Sequence, residues 1–448
     1  MALCAMMGTA TLTSCEGTLD DVFGEWSRPT KTEPTLSIEE TPLTIEAVEA
    51  GTIKVIYQGD LKISKPITYT KNGVSTSITA STDIAVAAGD VVSFSSENST
   101  LCDGTNYVYI HTDLKCYVYG NVMSLINDEG DFSKDKTISG DYALAKLFRD
   151  NTELYIHPEK KLLLPATTLA NQCYSSMFYN CTSLTTAPEL PATTLALGCY
   201  YNMFGCCTGL TTAPVLPATT LDNGCYEYMF YYCTGLKNAP KLPATTLANY
   251  CYYCMFWGCN SITTAPALPA TTLAVGCYSY MFYQCPGLTT ASELPATTLA
   301  EECYEGMYDG CTSLSTAPEL PATTLARDCY SGMFCYTNLT TAPALPATTL
   351  DAGCYSYMFS DCYSLTTAPE LPATTLADEC YINMFENCSK LSSVSCKATS
   401  EINSTNLKDW LKEAGTDATS PTLHVTTGKE SESWTLPTTP TWTIKADL

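Results

Sequence analysis

The chain has 448 residues, and its 22 Lys+Arg against 46 Asp+Glu give a formal net charge of −24. A surface that acidic repels phosphate backbones and anionic lipid headgroups, so nucleic acid is a poor partner for it. Charged residues make up only 15% of the chain while Tyr reaches 30 copies and Cys 25, a composition that points away from a cytosolic enzyme and toward a special framework.

Met1 to Leu12 is apolar, rich in small residues and too short to span a bilayer, so residues 1–15 read as a lipoprotein signal peptide. Leu12-Thr13-Ser14-Cys15 looks like a lipobox, with Cys15 as the residue that carries the lipid. Glu16, Asp20, Asp21 and Glu25 open a polar tether over 16–40 and resemble the export signal of Bacteroidetes-type surface lipoproteins. The expected location is therefore the outer membrane, cell-surface exposed and lipid-anchored. From 41 to 115 short alternating segments predict strands at Leu43–Ala47, Ile53–Tyr57, Ile67–Lys71, Val74–Thr79 and Val91–Ser95. Asn72-Gly73 is placed for a tight hairpin turn, and the whole reads as an Ig-like β-sandwich. Residues 116–163 carry degenerate echoes of the periodic segment C-terminal to them, since Leu147-Phe148 and Leu154 match the spacing of Met177-Phe178 and Leu184. They are expected to cap the N-terminal end of a stack, with 397–448 capping the other.

Between them, over 164–396, Leu-Pro-Ala-Thr-Thr-Leu recurs from Leu164 to Leu371 at a step of 26 residues, with one step of 25 between Leu320 and Leu345. In the short repeat, Met333-Phe334-Cys335-Tyr336 lacks one residue before Leu339, which displaces its second cysteine. Within a unit, Cys173, Tyr174, Met177, Phe178 and Cys181 stand at offsets 0, 1, 4, 5 and 8, which places them on one face of a short helix. Thr185, Thr186 and Ala187 suit a short β-strand, which Pro188 must end. Strands of about four residues would then build a parallel sheet roughly 38 Å long at ~4.8 Å per rung. One helix and one strand cannot bury their apolar sides alone, so neighbouring units must supply the other wall.

The run from Met177 to Leu195, Met-Phe-x-x-Cys-Thr-Ser-Leu-Thr-Thr-Ala-Pro-x-Leu-Pro-Ala-Thr-Thr-Leu, resembles the BspA-like class of leucine-rich repeats, including 26-residue surface repeats of gut Bacteroides. The resemblance covers about Phe148 to Cys396. It implies a right-handed solenoid on a secreted or surface protein, with adhesion to host or microbial partners. The expected fold class is multidomain: an Ig-like β-sandwich followed by an α/β leucine-rich-repeat-type solenoid. The chain departs from the common pattern where Thr-Thr-Ala-Pro replaces a Leu-x-Leu strand core.

Cysteines eight residues apart on a helix are about 12 Å apart, beyond the ~7 Å that a disulfide spans. Bonds within a unit are excluded; bonds between successive rungs are geometrically possible, but buried free thiols are the simpler use of these residues. Cys251-x-x-Cys254 arises once, by substitution at a variable position, and neither it nor Cys206-Cys207 predicts a metal or redox site. His111, His157 and His424 all lie outside the nine units, so no cysteine has the histidine that nucleophilic catalysis requires. Glu301-Glu302 and Asp378-Glu379 occupy positions that other copies fill with Asn-Gln or Val-Gly, and read as solvated surface. No cofactor and no enzymatic activity are expected. The expected function is non-catalytic binding of a protein or glycan at a host or microbial surface. A structural spacer, or an accessory glycan-binding component of a degradation system, is the alternative. Offset 6 holds Tyr179, Tyr231, Trp257 and Tyr283, and a second column, assigned to offset 3, holds Tyr228, Tyr253, Tyr280 and Tyr357. Same-offset residues of successive units should stack, so these rings predict an exposed aromatic strip and a ligand-binding face.

Overall fold

The computed structural model describes residues 36–127 and 130–448, of which Ile38–Leu448 form one compact unit. Cys15, the signal-like segment and nearly all of the tether lie outside the described residues. The first strands are β1 (Leu43–Ala47), β2 (Gly51–Gln58), β3 (Ile67–Lys71), β4 (Val74–Ile78), β5 (Thr82–Val86), β6 (Val91–Ser96), β7 (Tyr107–Thr112) and β8 (Cys116–Asn121). They make two sheets, β5-β2-β7 and β8-β1-β6-β3-β4, antiparallel throughout, whose buried residues share one core. Asn72 and Gly73 both take positive φ, 51° and 77°, as a two-residue hairpin turn between β3 and β4 requires. An Ig-like sandwich is not confirmed as a separate domain. β9 (Leu154–Ile156) and β10 (Leu162–Leu163) pair in parallel with β8, so this sheet runs on into the repeats.

In the repeats, the expected short helix does not form, and no α-helix occurs among the described residues. Every fourth residue instead takes a left-handed backbone: Gln172, Ser176 and Asn180 have φ of 51°, 53° and 58°, and each later unit repeats the pattern at offsets −1, 3 and 7. The chain becomes a ribbon of overlapping tight turns. The N–H groups of Ser175, Met177, Tyr179 and Cys181 donate to carbonyls three residues back, at 3.0 to 3.2 Å. The alternate N–H groups of Tyr174, Ser176, Phe178 and Asn180 donate to Cys199, Tyr201, Met203 and Gly205 of the next rung, at 2.7 to 3.0 Å. A helix would spend all its amides internally and leave none for its neighbour.

The ribbon's period of four sends offsets 0, 1, 4, 5 and 8 inward, where they are fully buried. Tyr174 stacks on Tyr200 and Phe178 on Phe204, with centroids 5.8 and 5.6 Å apart, and both ring columns continue to Tyr381 and Phe385. At offset 8 the thiols of Cys181, Cys207, Cys233, Cys259, Cys285 and Cys388 each reach the offset-5 carbonyl of the preceding rung at 3.0 Å. All 23 cysteines among the described residues are unpaired. In the short repeat, Thr337 takes the offset-8 place, its hydroxyl 2.7 Å from the Phe334 carbonyl and 3.3 Å from Cys362 Sγ. The thiol column is thus continued by a threonine rather than by a displaced Cys335, and the missing residue falls between Thr337 and Leu339, outside the ribbon.

The expected four-residue strands of the repeats are reduced to single-residue parallel bridges, such as Thr186 to Thr212, Thr264 to Thr290 and Thr341 to Thr367. A second line of bridges joins Thr168 to Thr194, Thr220 to Thr246 and Thr298 to Thr324. Proline two residues after the first line removes the next donor at almost every rung, which stops the ladder. Where the prolines cease, full strands appear: β12 (Ser393–Cys396), β13 (Thr422–Val425) and β14 (Thr443–Ala446) pair in parallel, with the short β11 (Glu370–Leu371) beside β12.

The ribbon extends one rung beyond the cysteine repeats at each end. Ala143, Leu144, Leu147, Phe148 and Asn151 fill the inward offsets before the first, with Tyr142, Lys146 and Asp150 left-handed. Asn151 accepts from Thr112 N at 2.7 Å and donates to the Ile110 carbonyl at 2.7 Å, tying that rung to β7. Asn406, Leu407, Trp410, Leu411 and Ala414 fill the inward offsets after the last, and Trp410 Nε1 donates to the Trp434 carbonyl at 2.8 Å.

Two successive rungs each break the interior pattern once, at positions that meet. Ser292 stands where the other repeats carry proline and Tyr308 where they carry phenylalanine, both buried. Ser292 has an N–H that proline lacks, and the Tyr308 hydroxyl accepts it at 3.0 Å. Tyr308→Phe orphans this buried donor and should cost about 1–3 kcal/mol. Adding Ser292→Pro should recover most of that loss, as measured by urea denaturation of the single and double variants. Additive losses in the double variant would show that the hydroxyl is not the acceptor.

Candidate interaction surface

Offsets 2, 3, 6 and 7 of each ribbon face away from the core, and there the copies differ most. In the units that begin at Cys225, Cys251 and Cys277, six rings close into a loop of edge-to-face contacts. Tyr228 meets Tyr231 at 5.6 Å, Tyr231 meets Trp257 at 5.4 Å, and Trp257 meets Tyr283 at 4.7 Å. Tyr283 meets Tyr280 at 5.6 Å, Tyr280 meets Tyr253 at 6.1 Å, and Tyr253 returns to Tyr228 at 5.5 Å. Such pairs add about 0.5–1.5 kcal/mol each beyond the area they bury. All six are half-buried, and Trp257 Nε1 is enclosed without a hydrogen-bond partner.

The structure therefore brings together six of the eight aromatic residues named from the sequence. Tyr253 stands at offset 2 rather than offset 3, and reaches its partners from there. Tyr179 lies apart, its ring under the Arg149 guanidinium at 5.4 Å and its hydroxyl 3.7 Å from Cys206 Sγ. Tyr357 stands in a later rung, 46% exposed. Sequence reasoning missed Tyr201, Tyr232 and Tyr250, which extend the loop by contacts to Tyr228, Tyr231 and Tyr253 at 5.9, 4.7 and 5.8 Å. The signal for two of them is glycine in the following rung. A Cβ at Gly276 would collide with the Tyr250 ring, and one at Gly258 would crowd Tyr232 at 3.2 Å. Gly306 leaves the same room for Tyr280.

Carboxylates border the rings. Tyr280 donates its hydroxyl to Glu305 Oε1 at 2.8 Å, Ser279 donates to the other oxygen at 3.3 Å, and Tyr250 donates to Glu302 at 3.2 Å. Burial raises the Glu305 carboxyl above its usual range even against those two donors. Glu227, at offset 2 beside the same surface, has no partner, and burial alone pushes its carboxyl up to about 7. In the unit that begins at Cys303, burial and then the Asp361 charge push Asp309 up to about 7 as well. Cys254 lies among the rings, and burial first of all pushes its thiol up to about 12, which disfavours the thiolate. Among the described residues no group of His, Cys, Asp and Glu is arranged to hold a metal ion, and no helix is long and apolar enough to cross a membrane.

The raised carboxyl of Glu227 has a consequence for stability. Between its ordinary value of 4.5 and about 7 the folded chain binds the proton that the unfolded chain has released, so stability falls as pH rises through that window. Glu227→Gln should raise the melting temperature at pH 8 and leave it nearly unchanged at pH 4, by about 1 kcal/mol at most because the group is partly solvated. Equal shifts at both pH values would mean that Glu227 is not buried as an unpaired carboxylate.

The model of the BspA type leucine rich repeat region matches residues 164–289 and 225–366, in 6 copies. A leucine-rich repeat protein from Bacteroides ovatus ATCC 8483, with a crystal structure at 1.19 Å resolution, is similar at 15% identity and a TM-score of 0.32, over 58% of this chain and 73% of that one. No curated protein matches the chain. Over 164–366 the repeats match this family model, and they are leucine-rich repeats of the BspA type.

Proposed function

We propose that this chain is a non-catalytic binding module displayed on a bacterial cell surface, held there by lipid on Cys15, with the two-sheet segment as an Ig-like spacer. Its contact with a protein or glycan partner runs through the aromatic surface centred on Tyr228, Tyr231, Trp257 and Tyr283. The observation that carries this reading is the backbone of Tyr228 and of the tyrosines that surround this centre. Tyr228, Tyr232, Tyr250 and Tyr280 take φ of 53° to 56° at places where several other copies use glycine or asparagine. A left-handed backbone costs a bulky residue roughly 1–2 kcal/mol. Stacked rungs that could use glycine there and instead carry four adjacent tyrosines are spending stability on rings at the surface. Rigid rings with a polar edge give large contact area at little entropic cost, for a sugar face or for a protein side chain.

The test replaces Tyr231, Trp257 and Tyr283 together with serine. Because these rings pack on one another, the triple variant should lose a few kcal/mol of stability while keeping the parent's circular dichroism spectrum. Its binding to the ligand that the parent selects from a glycan and protein array should fall by about tenfold or more. A folded triple variant with parental affinity removes this surface from the reading. Cys15→Ala should release the protein from the membrane fraction, and retention there would count against the lipid anchor.

A further inference from the structure

Away from the ribbon, the Ala-Pro-x-Leu-Pro segments of successive rungs enclose a row of clefts. The clefts between consecutive rungs from Pro240 to Pro346 measure ≈ 410, 400, 770 and 460 Å³, and each shares lining residues with the next, so they form one groove. The walls are proline rings and alanine methyls, with threonine hydroxyls at one side of the two largest. Ser292, which stands where the other repeats carry proline, lines both the largest cleft and the neighbouring one of ≈ 400 Å³.

The exposed x position of this segment makes a column along the groove. At its ends the carboxylates are neutralised: Glu189 pairs with Lys161 at 3.0 Å, and Glu370 pairs with Lys397. In the middle, Glu293 and Glu319 stand one rung apart at the mouth of the largest cleft, and neither makes an ion pair. Like charges on adjacent rungs repel, so these two raise the energy of the empty groove. Among the described residues the backbone N–H groups of Ala267, Glu293, Glu319 and Ala344 find no hydrogen-bond acceptor, and all four residues are exposed.

We propose that this groove seats an extended polypeptide segment with basic side chains, its cationic groups at Glu293 and Glu319. The two unpaired carboxylates call for positive charge. The row of free donors calls for a ligand with acceptors at regular intervals, and a polypeptide presents a carbonyl at every residue. The proline and alanine walls suit a chain's aliphatic stems. The site is separate from the aromatic surface, and neither depends on the other.

The probe is a fluorescein-labelled decapeptide of alternating lysine and proline, with an alternating glutamate and proline peptide as counterpart, followed by anisotropy on the full chain at low salt. The lysine peptide should bind and the glutamate peptide should not, with affinity falling as salt is added. Glu293→Gln with Glu319→Gln should weaken binding about fivefold or more. Glu189→Gln with Glu370→Gln removes the same charge from the same column at sites already paired, and should leave affinity within about twofold. Equal weakening by the two double variants would assign the binding to overall acidity and overturn the groove, as would a lysine peptide that does not bind.

Discussion

The cross-rung hydrogen bond from alternate ribbon amides is the interaction on which the rest of this structure depends. It exists because a left-handed residue at every fourth position turns the chain so that successive N–H groups point alternately inward along the ribbon and outward to the next rung. Successive cysteine rungs are thereby tied by five backbone bonds, from offsets −1, 1, 3, 5 and 7, before any side chain is counted. Stability in such an array is a sum of weak units and strong interfaces. The single deletion in the array leaves these bonds intact: it falls after Thr337, beyond the last ribbon residue, where only a turn must shorten.

The thiol column arises from the same geometry. The offset-5 carbonyl already accepts the N–H of offset 8 in its own rung, as Phe178 does from Cys181, and its second lone pair faces the next rung. A small side chain with a weak donor fits there, and a larger or charged one does not. Thr337 meets the requirement with a hydroxyl, although it turns back to its own rung's carbonyl rather than to the preceding one. Burial drives Cys181, Cys207 and Cys233 well above the usual thiol range, which keeps them as protonated donors. So many cysteines in one chain suggest redox or metal chemistry by composition, yet here they serve as hydrogen-bonding packing residues.

Much of this is legible in the sequence, and one step is not. The repeat length, the inward set of Cys, Tyr, Met and Phe, and the leucine columns are all read correctly from periodicity, because burial follows position in any stacked unit. The helix is a misreading, because offsets 0, 1, 4, 5 and 8 cluster on one face at a period of 3.6 and equally at a period of 4. The discriminating residues stand at offsets where the copies vary. Gly198, Gly224, Gly276 and Gly353 at offset −1, Gly306 and Gly332 at offset 3, and Gly258 and Gly310 at offset 7 mark a four-residue recurrence of left-handed backbone that no helix interior accepts. The aromatic surface reads from the sequence as a column of stacked rings and is instead a closed loop of edges on faces, since rings at offsets 2, 3 and 6 of adjacent rungs interleave. The groove has no sequence signal except the single exchange of proline for serine at 292.

The two exposed surfaces differ in what the backbone leaves available. Along the ribbon every amide is spent, alternately on its own turn and on the next rung, so only side chains can recognise a partner there. The copies vary at those outward offsets accordingly. Along the Ala-Pro-x-Leu-Pro edge, proline has removed some donors and broken the ladder that would have occupied others, so amides at the x position stay free while the side chains beside them are mostly small. A stack of nearly identical units thus carries one face that can diverge by substitution and one edge that offers the same backbone pattern on successive rungs from Ala267 to Ala344. In the first, selectivity comes from which rings stand side by side; in the second, from the few x positions, Lys241, Glu293 and Glu319 among them, where a charge interrupts an otherwise uniform groove.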